Sequence, residues 1–328
     1  MKIGFLTSGG DCQALNAAMR GTAKYLYEKE RNKVEFYGFL DGYKGLIRGN
    51  YKKMKIDDFE DILNLGGSVI GNSRTPFKLI NEPDEEGRDK VKSMIDTYKK
   101  TGLDCLVVAG GNGSHKTANL LFEKGLNVVT LPKTIDNDLE GIDVSFGFQS
   151  AIDVATDYID KLQSTAKSHG RVFVVEVMGH KTGWLTLHAG IASNSDIILI
   201  PEIPYDINAV VKDIEEKEKR GKKYIIIAAA EGIISKEESL LTKKELKKKR
   251  KEGGNLIAAE RLARELEPYV DKEIRTASIG HIQRGGNPCA YDRVLATRLG
   301  VMAGELIENK KYGLSLIHIS EPTRLALI

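Results

Sequence analysis

The alternation of short apolar runs with helical stretches is the sequence feature that most constrains this fold. Several of the runs are apolar at almost every position and rich in β-branched residues. A strand of that kind is buried on both faces, as in parallel sheets covered by helices. The pattern therefore predicts an α/β protein whose ligands bind beyond the carboxyl ends of parallel strands. The predicted strands lie at 3–7, 34–40, 105–109, 128–131, 172–177, 197–200, 224–230 and 276–279.

Helical patterns separate most of these strands, and three segments break the alternation. Residues 81–86 are polar and turn-like, and 236–254 are dominated by Lys and Glu, which favours a solvated helix face or insertion over an anion-binding surface. Residues 314–328 follow no earlier periodicity and are interpreted as a foreign tail. The predicted helices include 16–28, 84–100, 207–220 and 255–266.

Composition excludes several functional classes. The chain has 328 residues, 41% of them hydrophobic, and a net charge of +3 without a basic, aromatic stripe, so a nucleic-acid binder is not indicated. Its three cysteines, at positions 12, 105 and 289, are far apart and suggest reduced thiols rather than disulfides or a metal site. No apolar stretch is long enough to cross a membrane, so we expect a cytoplasmic enzyme.

Two predicted strands end in glycine-rich turns that lead into helices. The first turn contains Gly9 and Gly10, and the second runs from Gly110 to Ser114. Glycines let the backbone approach a phosphate closely, and the helix N-terminus that follows offers unpaired amides and a favourable dipole. Either turn alone is equally well a tight strand-to-helix connection. Two such turns in one sheet predict a nucleotide or diphosphate site, although neither matches the P-loop pattern.

A pair of carboxylates follows the predicted strand at 128–131. Asp136 and Asp138 lie two residues apart. One can accept a proton from an attacking hydroxyl while the other holds Mg²⁺ or orients the first, and such base assistance is worth roughly 10²–10⁴-fold. Phosphoryl transfer otherwise depends on positioning and charge neutralisation. The alternative interpretation is an Asx-rich turn that caps a helix.

Arginines stand near other predicted strands and turns. Arg171 and Arg275 flank strands, Arg74 follows a Gly-Asn-Ser turn, and Arg284 precedes two glycines. The guanidinium fork binds phosphate oxygens in bidentate fashion, so these residues are candidate anion ligands. His281, three residues before Arg284, would by itself more often be a hydrogen-bonded structural residue.

Taken together, these motifs resemble the 6-phosphofructokinase family. The resemblance covers roughly residues 1–313, and it is specific because six dispersed motifs agree in order and spacing. The motifs are Gly-Gly-Asp at 9–11 with Asn-Ala-Ala at 16–18, Gly-Gly-Asn-Gly-Ser at 110–114, Thr-Ile-Asp-Asn-Asp at 134–138, Val-Glu-Val-Met-Gly at 175–179, Pro-Glu at 201–202 and Gly-His-Ile-Gln-Arg-Gly-Gly at 280–286.

The resemblance implies transfer of a phosphoryl group from a donor to the 1-hydroxyl of fructose 6-phosphate, with Mg²⁺ as cofactor. By position, Asp136 is then the general base, while Asp138 supports the base and the metal region. The catalytic set implied is Asp136, Thr134, Asp138 and Arg171. The sugar-phosphate residues implied are Thr134, Asp136, Met178, Gly179, His180, Glu231, His281 and Arg284, with Arg171 and Arg275 reaching in from a neighbouring subunit. The donor residues implied are Gly10, Arg74, Gly111, Asn112, Gly113, Ser114 and Lys133.

Three positions leave the donor between ATP and pyrophosphate. Asn112 stands where ATP-using members carry a metal-holding Asp, and a neutral amide binds Mg²⁺ more weakly than a carboxylate does. Lys133 is typical of pyrophosphate-using members, but those members normally carry Asp where this chain has Gly113. Because Gly113 leaves room for the α-phosphate of a nucleotide, ATP is the favoured donor and pyrophosphate the alternative.

The resemblance further implies two Rossmann-like, doubly wound parallel-sheet domains with the active site in the cleft between them. Residues 1–148 and 284–313 form the larger, ATP-binding domain, and 149–283 form the smaller domain for fructose 6-phosphate, with 314–328 as an atypical tail. Two other functions stay open at this point. One is a different kinase on a related fold, although NAD and lipid kinases lack the segment at 280–286. The other is a non-catalytic sensor of sugar phosphates or nucleotides.

The implied assembly is a homo-oligomer, a dimer or tetramer, with shared active sites. Family members often bind effectors between subunits, but Gln163 replaces a usual Arg, which argues against the family's usual effector control here. The basic residues that could line such a site are Arg20, Lys24, Lys222 and Lys223.

Overall fold

The structure is a computed structural model that describes residues 1–30 and 33–316. The chain divides into two compact units. Among the described residues, unit 1 comprises those of the ranges 1–150 and 284–316, and unit 2 comprises residues 151–283. Most of the tail predicted to be foreign, residues 317–328, lies outside the described residues.

Strands and helices alternate along the described chain. The strands are β1 (Lys2–Thr7), β2 (Glu35–Phe39), β3 (Tyr51–Met54), β4 (Cys105–Gly110), β5 (Val128–Pro132), β6 (Val172–Val177), β7 (Ile197–Leu199), β8 (Ile225–Ala230), β9 (Ile274–Ser278) and β10 (Leu314–Ser315). The α-helices are α1 (Leu15–Lys29), α2 (Tyr43–Arg48), α3 (Lys90–Thr101), α4 (Asn112–Glu123), α5 (Phe148–His169), α6 (Trp184–Ala192), α7 (Ile207–Lys219), α8 (Lys236–Ser239), α9 (Lys243–Glu252), α10 (Ala258–Leu266) and α11 (Ala290–Glu308).

Unit 1 contains a six-stranded sheet in the order β10-β5-β4-β1-β2-β3. All neighbouring pairs are parallel except β2 and β3, which pair antiparallel. The chain leaves β1 towards β2 on one side and later returns to β4 on the other side. The carboxyl ends of β1 and β4 therefore border a topological switch point, the place where open parallel sheets bind ligands. Both glycine-rich turns begin at these two ends.

Helices α1 and α11, which come from the two chain segments of unit 1, pack closely. Gly300 of α11 lies so near Ala18 of α1 that any side chain there would overlap the Ala18 carbonyl. The hydroxyl of Thr22 donates to the Gly300 carbonyl at 2.8 Å. Because α1 follows the first glycine-rich turn and α11 follows Arg284, this contact fixes both segments against one sheet.

Unit 2 contains a four-stranded, wholly parallel sheet in the order β7-β8-β6-β9. The side chains of β8 are buried throughout, and α10 covers one face of the sheet with Ala259, Leu262 and Leu266. Full burial of each leucine or isoleucine side chain contributes about 1.5–3 kcal/mol relative to exposure. The carboxyl ends of β6, β8 and β9 consequently lie side by side at one edge of a firmly packed sheet.

The predicted α/β class with two doubly wound sheets is confirmed, and most strand predictions agree with the structure to within one or two residues. The helix predicted at 84–100 begins instead at Lys90, because the Asp89 carboxylate caps it by accepting from the Lys92 amide at 2.9 Å. Gly102, at φ +65°, ends the helix in the left-handed conformation. Strand β3 and the long helix α5 were not predicted.

The Lys- and Glu-rich segment at 236–254 forms the two helices α8 and α9. Helix α9 has no buried side chain, and Thr242 caps its first turn by accepting from the Glu245 amide. This agrees with the prediction of a solvated helix face. Across the described residues, 1–30 and 33–316, no helix combines the length and apolar character required to cross a bilayer.

Candidate active site

The first glycine-rich turn follows β1 and is held by the segment that contains Arg74. Gly9 has φ +91°, a conformation that favours glycine, and its amide donates to the Ser73 carbonyl at 3.1 Å. The Asn72 side chain donates to the Gly9 carbonyl at 2.9 Å. Arg74 is thereby placed beside the turn, where it lines a cavity of about 390 Å³. The same cavity is lined by Lys44, Arg48 and Lys90.

The second glycine-rich turn follows β4 and opens helix α4. A side chain on Gly110 would overlap the Ser114 side chain, so glycine is required for this close approach. The amides of Asn112 and Gly113 have no hydrogen-bond acceptor among the described residues, which is the usual state of a helix N-terminus that faces an anion. The Tyr43 hydroxyl donates to the Ser114 carbonyl at 2.8 Å, which helps to fix the position of the turn.

A histidine buttresses this second turn. His115 Nε2 lies 2.9 Å from the Gly110 carbonyl, which can only accept, so Nε2 carries the hydrogen. Its Nδ1 is then the acceptor for the Ser315 hydroxyl at 3.2 Å. Burial lowers the pKa of His115 to about 4, and the ring is neutral at physiological pH.

Lys133 connects the two turns. It follows β5 and is buried. Its ammonium donates to the Gly10 carbonyl in the first turn, and its backbone amide donates to the Gly110 carbonyl, where the second turn begins, at 3.1 Å. Burial lowers the pKa of Lys133, the positive charge of Arg284 lowers it further, and the carboxylates of Asp11 and Asp136 oppose this shift. The ammonium is therefore held among backbone and carboxylate oxygens inside unit 1.

The segment after Lys133 carries the paired carboxylates. The Thr134 hydroxyl accepts from the Asp136 amide at 3.0 Å and donates to Asp138 Oδ1 at 3.1 Å. Asp138 Oδ2 has no hydrogen bond from the described residues. Both carboxylates are half-buried at the carboxyl edge of the sheet, so they are positioned by the backbone and still accessible.

Arg284 belongs to unit 1 and packs on the first turn. Its Nη1 donates to the Asp11 carbonyl at 3.0 Å, and a side chain on Gly10 would come within 2.6 Å of the same nitrogen. Burial raises the pKa of Asp11, whereas Lys133 and Arg284 act in the opposite direction. The carboxyl edge of unit 1 thus gathers two cations and several carboxylates around the glycine turns.

Unit 2 carries a second set of candidates at the carboxyl edge of its own sheet. Residues Met178, Gly179 and His180 follow β6, and Glu231 follows β8. Glu231 Oε1 accepts from the amides of Gly179 and His180 at 3.3 and 2.6 Å, which fixes a turn where His180 has φ +54°. Glu231 Oε2 has no hydrogen bond from the described residues. His281, exposed after β9, lies at the same edge.

The two remaining arginines lie at the opposite edge of this sheet. Arg171 immediately precedes β6 and Arg275 is the second residue of β9, so both are at the amino end of the parallel strands. Both form ion pairs with Glu273, whose pKa is lowered by the hydrogen bond from Arg171. A strand of six residues spans about 20 Å, so within one chain these arginines do not join Met178 or Glu231.

Several residues at these edges were given no role of their own in the sequence analysis. Glu176 is buried in the apolar strand β6, where it accepts from the Ala259 amide at the start of α10 at 3.2 Å, and burial raises its pKa. A carboxylate within an apolar strand is a signal that could have been used. Asn72 and Lys44 carried no comparable signal, because only the fold brings Asn72 to the first turn and Lys44 to the cavity beside Arg74.

Comparison with known proteins agrees with this geometry. The phosphofructokinase family profile matches residues 2–307. The chain belongs to the phosphofructokinase family. It is 51% identical over 314 residues to an ATP-dependent 6-phosphofructokinase of Spirochaeta thermophila, covering 95% of this chain and 85% of that protein. It is 43% identical to ATP-dependent 6-phosphofructokinase 3 of Bacteroides thetaiotaomicron, covering 95% of this chain and 87% of the relative.

A solved structure shares the fold as well as the sequence pattern. The structure of Pichia pastoris phosphofructokinase in the T-state superposes with a TM-score of 0.79 at 31% identity. The match covers 94% of this chain and 32% of the longer yeast chain. The resemblance that the dispersed motifs indicated is therefore confirmed at the level of the family.

Proposed function

We propose that this chain transfers the γ-phosphoryl group of ATP to the 1-hydroxyl of fructose 6-phosphate, giving fructose 1,6-bisphosphate in glycolysis. The observation that carries the proposal is the position of the Asp136 and Asp138 carboxylates at the same sheet edge as both glycine-rich turns. The relatives from Spirochaeta and Bacteroides, both named as ATP-dependent, support ATP over pyrophosphate. The open space around Gly113, where an added methyl group would meet no atom within 4 Å beyond its chain neighbours and its own helix backbone, also supports a nucleotide donor.

In this mechanism Asp136 accepts the proton of the 1-hydroxyl as the oxygen attacks the γ-phosphorus, and the bond from that phosphorus to the bridging oxygen breaks to release ADP. Thr134 and Asp138 keep Asp136 in position, since the Thr134 hydroxyl is hydrogen-bonded to the Asp136 amide and to the Asp138 carboxylate. The amides of Asn112 and Gly113 and the dipole of α4 bind donor phosphates. Gly10, Gly111 and Ser114 shape these turns, and Arg74 borders the cavity that we assign to the rest of the donor.

The residues present fit a lightly held Mg²⁺ that arrives with the nucleotide. No cluster of three or more metal-ligating side chains occurs among residues 1–30 and 33–316. Mg²⁺ commonly keeps several waters and uses one or two protein oxygens besides substrate phosphates. Asp138, through its unengaged Oδ2, and Asn112 would supply those oxygens. When bound, the ion would neutralise charge on the donor phosphates.

Unit 2 supplies the sugar-phosphate side of the proposal. The turn at Met178–His180 and the Glu231 Oε2 atom suit sugar hydroxyls, and His281 suits the phosphate. Arg284, which belongs to unit 1, is a further candidate phosphate ligand. Unit 1 is then the donor-binding domain and unit 2 the fructose 6-phosphate-binding domain.

Arg171 and Arg275 support an oligomer with shared active sites. They lie at the amino edge of unit 2, away from the other sugar-phosphate candidates of the same chain. We therefore propose that each chain supplies these two arginines to a neighbouring copy, in a cytoplasmic homo-oligomer such as a dimer or tetramer. The Glu273 ion pairs would orient the guanidinium groups towards that neighbour.

The test is a coupled assay of fructose 1,6-bisphosphate formation with ATP and with pyrophosphate as alternative donors. We expect turnover with Mg²⁺ and ATP, and a loss of roughly a hundredfold or more in kcat for Asp136→Asn. The exposed Asp57→Asn in the same unit is the matched control. Faster turnover with pyrophosphate than with ATP would overturn the assignment of ATP as the donor. Ligand binding without turnover would favour the sensor function instead.

A further inference from the structure

A closed circuit of hydrogen bonds surrounds the loop that carries Asp136 and Asp138. Asn137, between the two carboxylates, has φ +50°, which asparagine tolerates better than most residues. Its Oδ1 accepts from the Ser145 amide at 2.9 Å, and its Nδ2 donates to the Asp143 carbonyl at 3.1 Å. The side chain of Asn137 therefore ties the loop to the segment that returns towards α5.

Ser145 completes the circuit from the other side. It is fully buried, and its hydroxyl donates to the Thr134 carbonyl at 2.8 Å. The same oxygen lies 3.3 Å from Asn137 Oδ1. A β-bridge between Lys133 and Phe146 closes the base of the loop. Residues 133–146 are thus fastened at their base and across their middle.

The circuit acts on both carboxylates through a single residue. Thr134 receives the Ser145 hydroxyl on its carbonyl, while its own hydroxyl is bonded to the Asp136 amide and to Asp138 Oδ1. A shift of Thr134 would move both carboxylates together. Misplacement of a reacting group by about 1 Å can cost on the order of 10²-fold in rate.

We propose that Ser145 and Asn137 are positioning residues that hold Asp136 in the geometry required for proton abstraction. This rests on the proposed function, in which Asp136 is the general base. Neither side chain needs to touch substrate for this role, because each acts on the base through Thr134 or through the loop backbone. The two residues form one clamp, since the Ser145 amide is itself bonded to Asn137.

The first experiment is kinetic analysis of Ser145→Ala with ATP and fructose 6-phosphate. Loss of the Thr134 contact should lower kcat about 10- to 100-fold, while KM for both substrates changes less than about threefold. Ser193→Ala is the matched control, because Ser193 is also buried and also hydrogen-bonded to a backbone carbonyl, but in unit 2. An unchanged kcat in Ser145→Ala, measured per folded protein, overturns the proposal.

A double-mutant cycle separates positioning of the base from general loosening of the fold. In the Asp136→Asn background the base is already absent, so adding Ser145→Ala should lower kcat by less than about twofold. If Ser145 only stabilised the fold, it would cost the same factor in both backgrounds. That outcome would contradict the proposed role even if Ser145→Ala were impaired on its own.

Asn137→Gly provides an independent variant should Ser145→Ala fail to fold. Glycine accepts φ +50° without strain, so this change removes the side-chain bonds and leaves the backbone conformation accessible. We expect a kcat loss similar to that of Ser145→Ala, and no further loss when the two are combined. Asn194→Gly is the control, because Asn194 has φ +51° and lies on the surface of unit 2.

The outcomes also distinguish failure of this inference from failure of the proposed function. Absence of fructose 6-phosphate phosphorylation by the unaltered chain would remove the proposed function itself. Normal turnover by the unaltered chain, together with full kcat in Ser145→Ala and Asn137→Gly, would support the proposed function and contradict the positioning role of Ser145 and Asn137.

Discussion

The two units place their candidate residues on their sheets in different ways. In unit 1 every candidate lies at the carboxyl edge, and Lys133 and Arg284 bond directly to the backbone of the first glycine-rich turn. In unit 2 the turn at Met178–His180 lies at the carboxyl edge, whereas Arg171 and Arg275 lie at the amino edge. The proposed phosphoryl-transfer residues therefore lie at one edge of one sheet, whereas the proposed sugar-phosphate residues of unit 2 lie at two opposite edges of its sheet.

The units also differ in how their histidines are buried, and this should separate their responses to acid. His115 in unit 1 has a pKa lowered to about 4 by burial, while the described histidines of unit 2 are exposed. Between pH 6.5 and 4 the side chain of His115 is protonated in the unfolded chain but neutral in the native chain. The free energy of unfolding therefore falls as the pH drops through this window. The loss approaches roughly 3 kcal/mol near pH 4.

Chemical denaturation followed by hydrogen exchange would measure this effect unit by unit. Unit 1 should lose protection first on acidification, and His115→Gln should flatten the dependence of its free energy of unfolding on pH. His188→Gln, an exposed position in unit 2, serves as the control. An equally steep pH dependence in His115→Gln would show that another group is responsible.

The second prediction concerns Lys133, whose ammonium donates to the first glycine-rich turn of unit 1. Lys133→Met should lower kcat about 100-fold, because the Gly10 carbonyl loses a buried donor and the nearby carboxylates lose a cation. KM for ATP should change little, since the ammonium is engaged by the chain itself. Steady-state kinetics with Lys116→Met, an exposed control in the same unit, would check this. A large rise in KM for ATP at constant kcat would instead mean that Lys133 binds the donor.

The sequence predicted the strands well because their continuous apolar character leaves few alternatives. Continuous apolar runs such as β6 and β8 were placed within a residue of their observed ends. Helix α3 was misjudged because Asp89, rather than Asp84, makes the capping hydrogen bond, and a capping contact is a matter of local geometry. Boundaries depend on such contacts, whereas element type depends on pattern.

The residues of the site could be predicted from motifs, but the hydrogen bonds between them could not. Asp136 and the glycine turns are recognisable from their residue types and spacing. The bond from Lys133 to Gly10 joins positions far apart in the chain, and the clamp between Asn137 and Ser145 joins two polar residues of ordinary appearance. The first contact arises from strand order and the second from the path of a single loop, and single-sequence patterns encode neither.

The third prediction tests whether unit 2 depends on a second copy. Arg171→Ala should raise KM for fructose 6-phosphate about 30-fold, the value of one charge-assisted bond to phosphate, with KM for ATP unchanged. Arg220→Ala is the control, because the Arg220 guanidinium is exposed and forms its ion pair with Glu216 of α7. An unchanged KM for fructose 6-phosphate would remove Arg171 from the site.

Mixed oligomers make the same prediction sharper. Arg171→Ala and Asp136→Asn chains should be dissociated, mixed and reassembled, and then assayed at a fructose 6-phosphate concentration low enough that each variant alone is impaired. If a site takes Asp136 from one chain and Arg171 from its neighbour, about a quarter of the sites in a random mixture contain both intact residues. Recovery of activity on mixing would support sharing, and its absence would place both residues in the site of one chain.

The smallest expected effect concerns regulation, where the two units behave alike. In unit 1 Lys24 pairs with Glu60 at 2.9 Å, and in unit 2 Lys222 pairs with the buried carboxylate of Asp196, which also accepts from the Ile226 amide. Since these cations are already neutralised within their own units, added ADP should shift the half-saturating concentration of fructose 6-phosphate by less than about twofold. Asp196→Asn frees the Lys222 ammonium and should increase the response to ADP. A strong response in the unaltered chain would mean that an effector displaces these internal carboxylates.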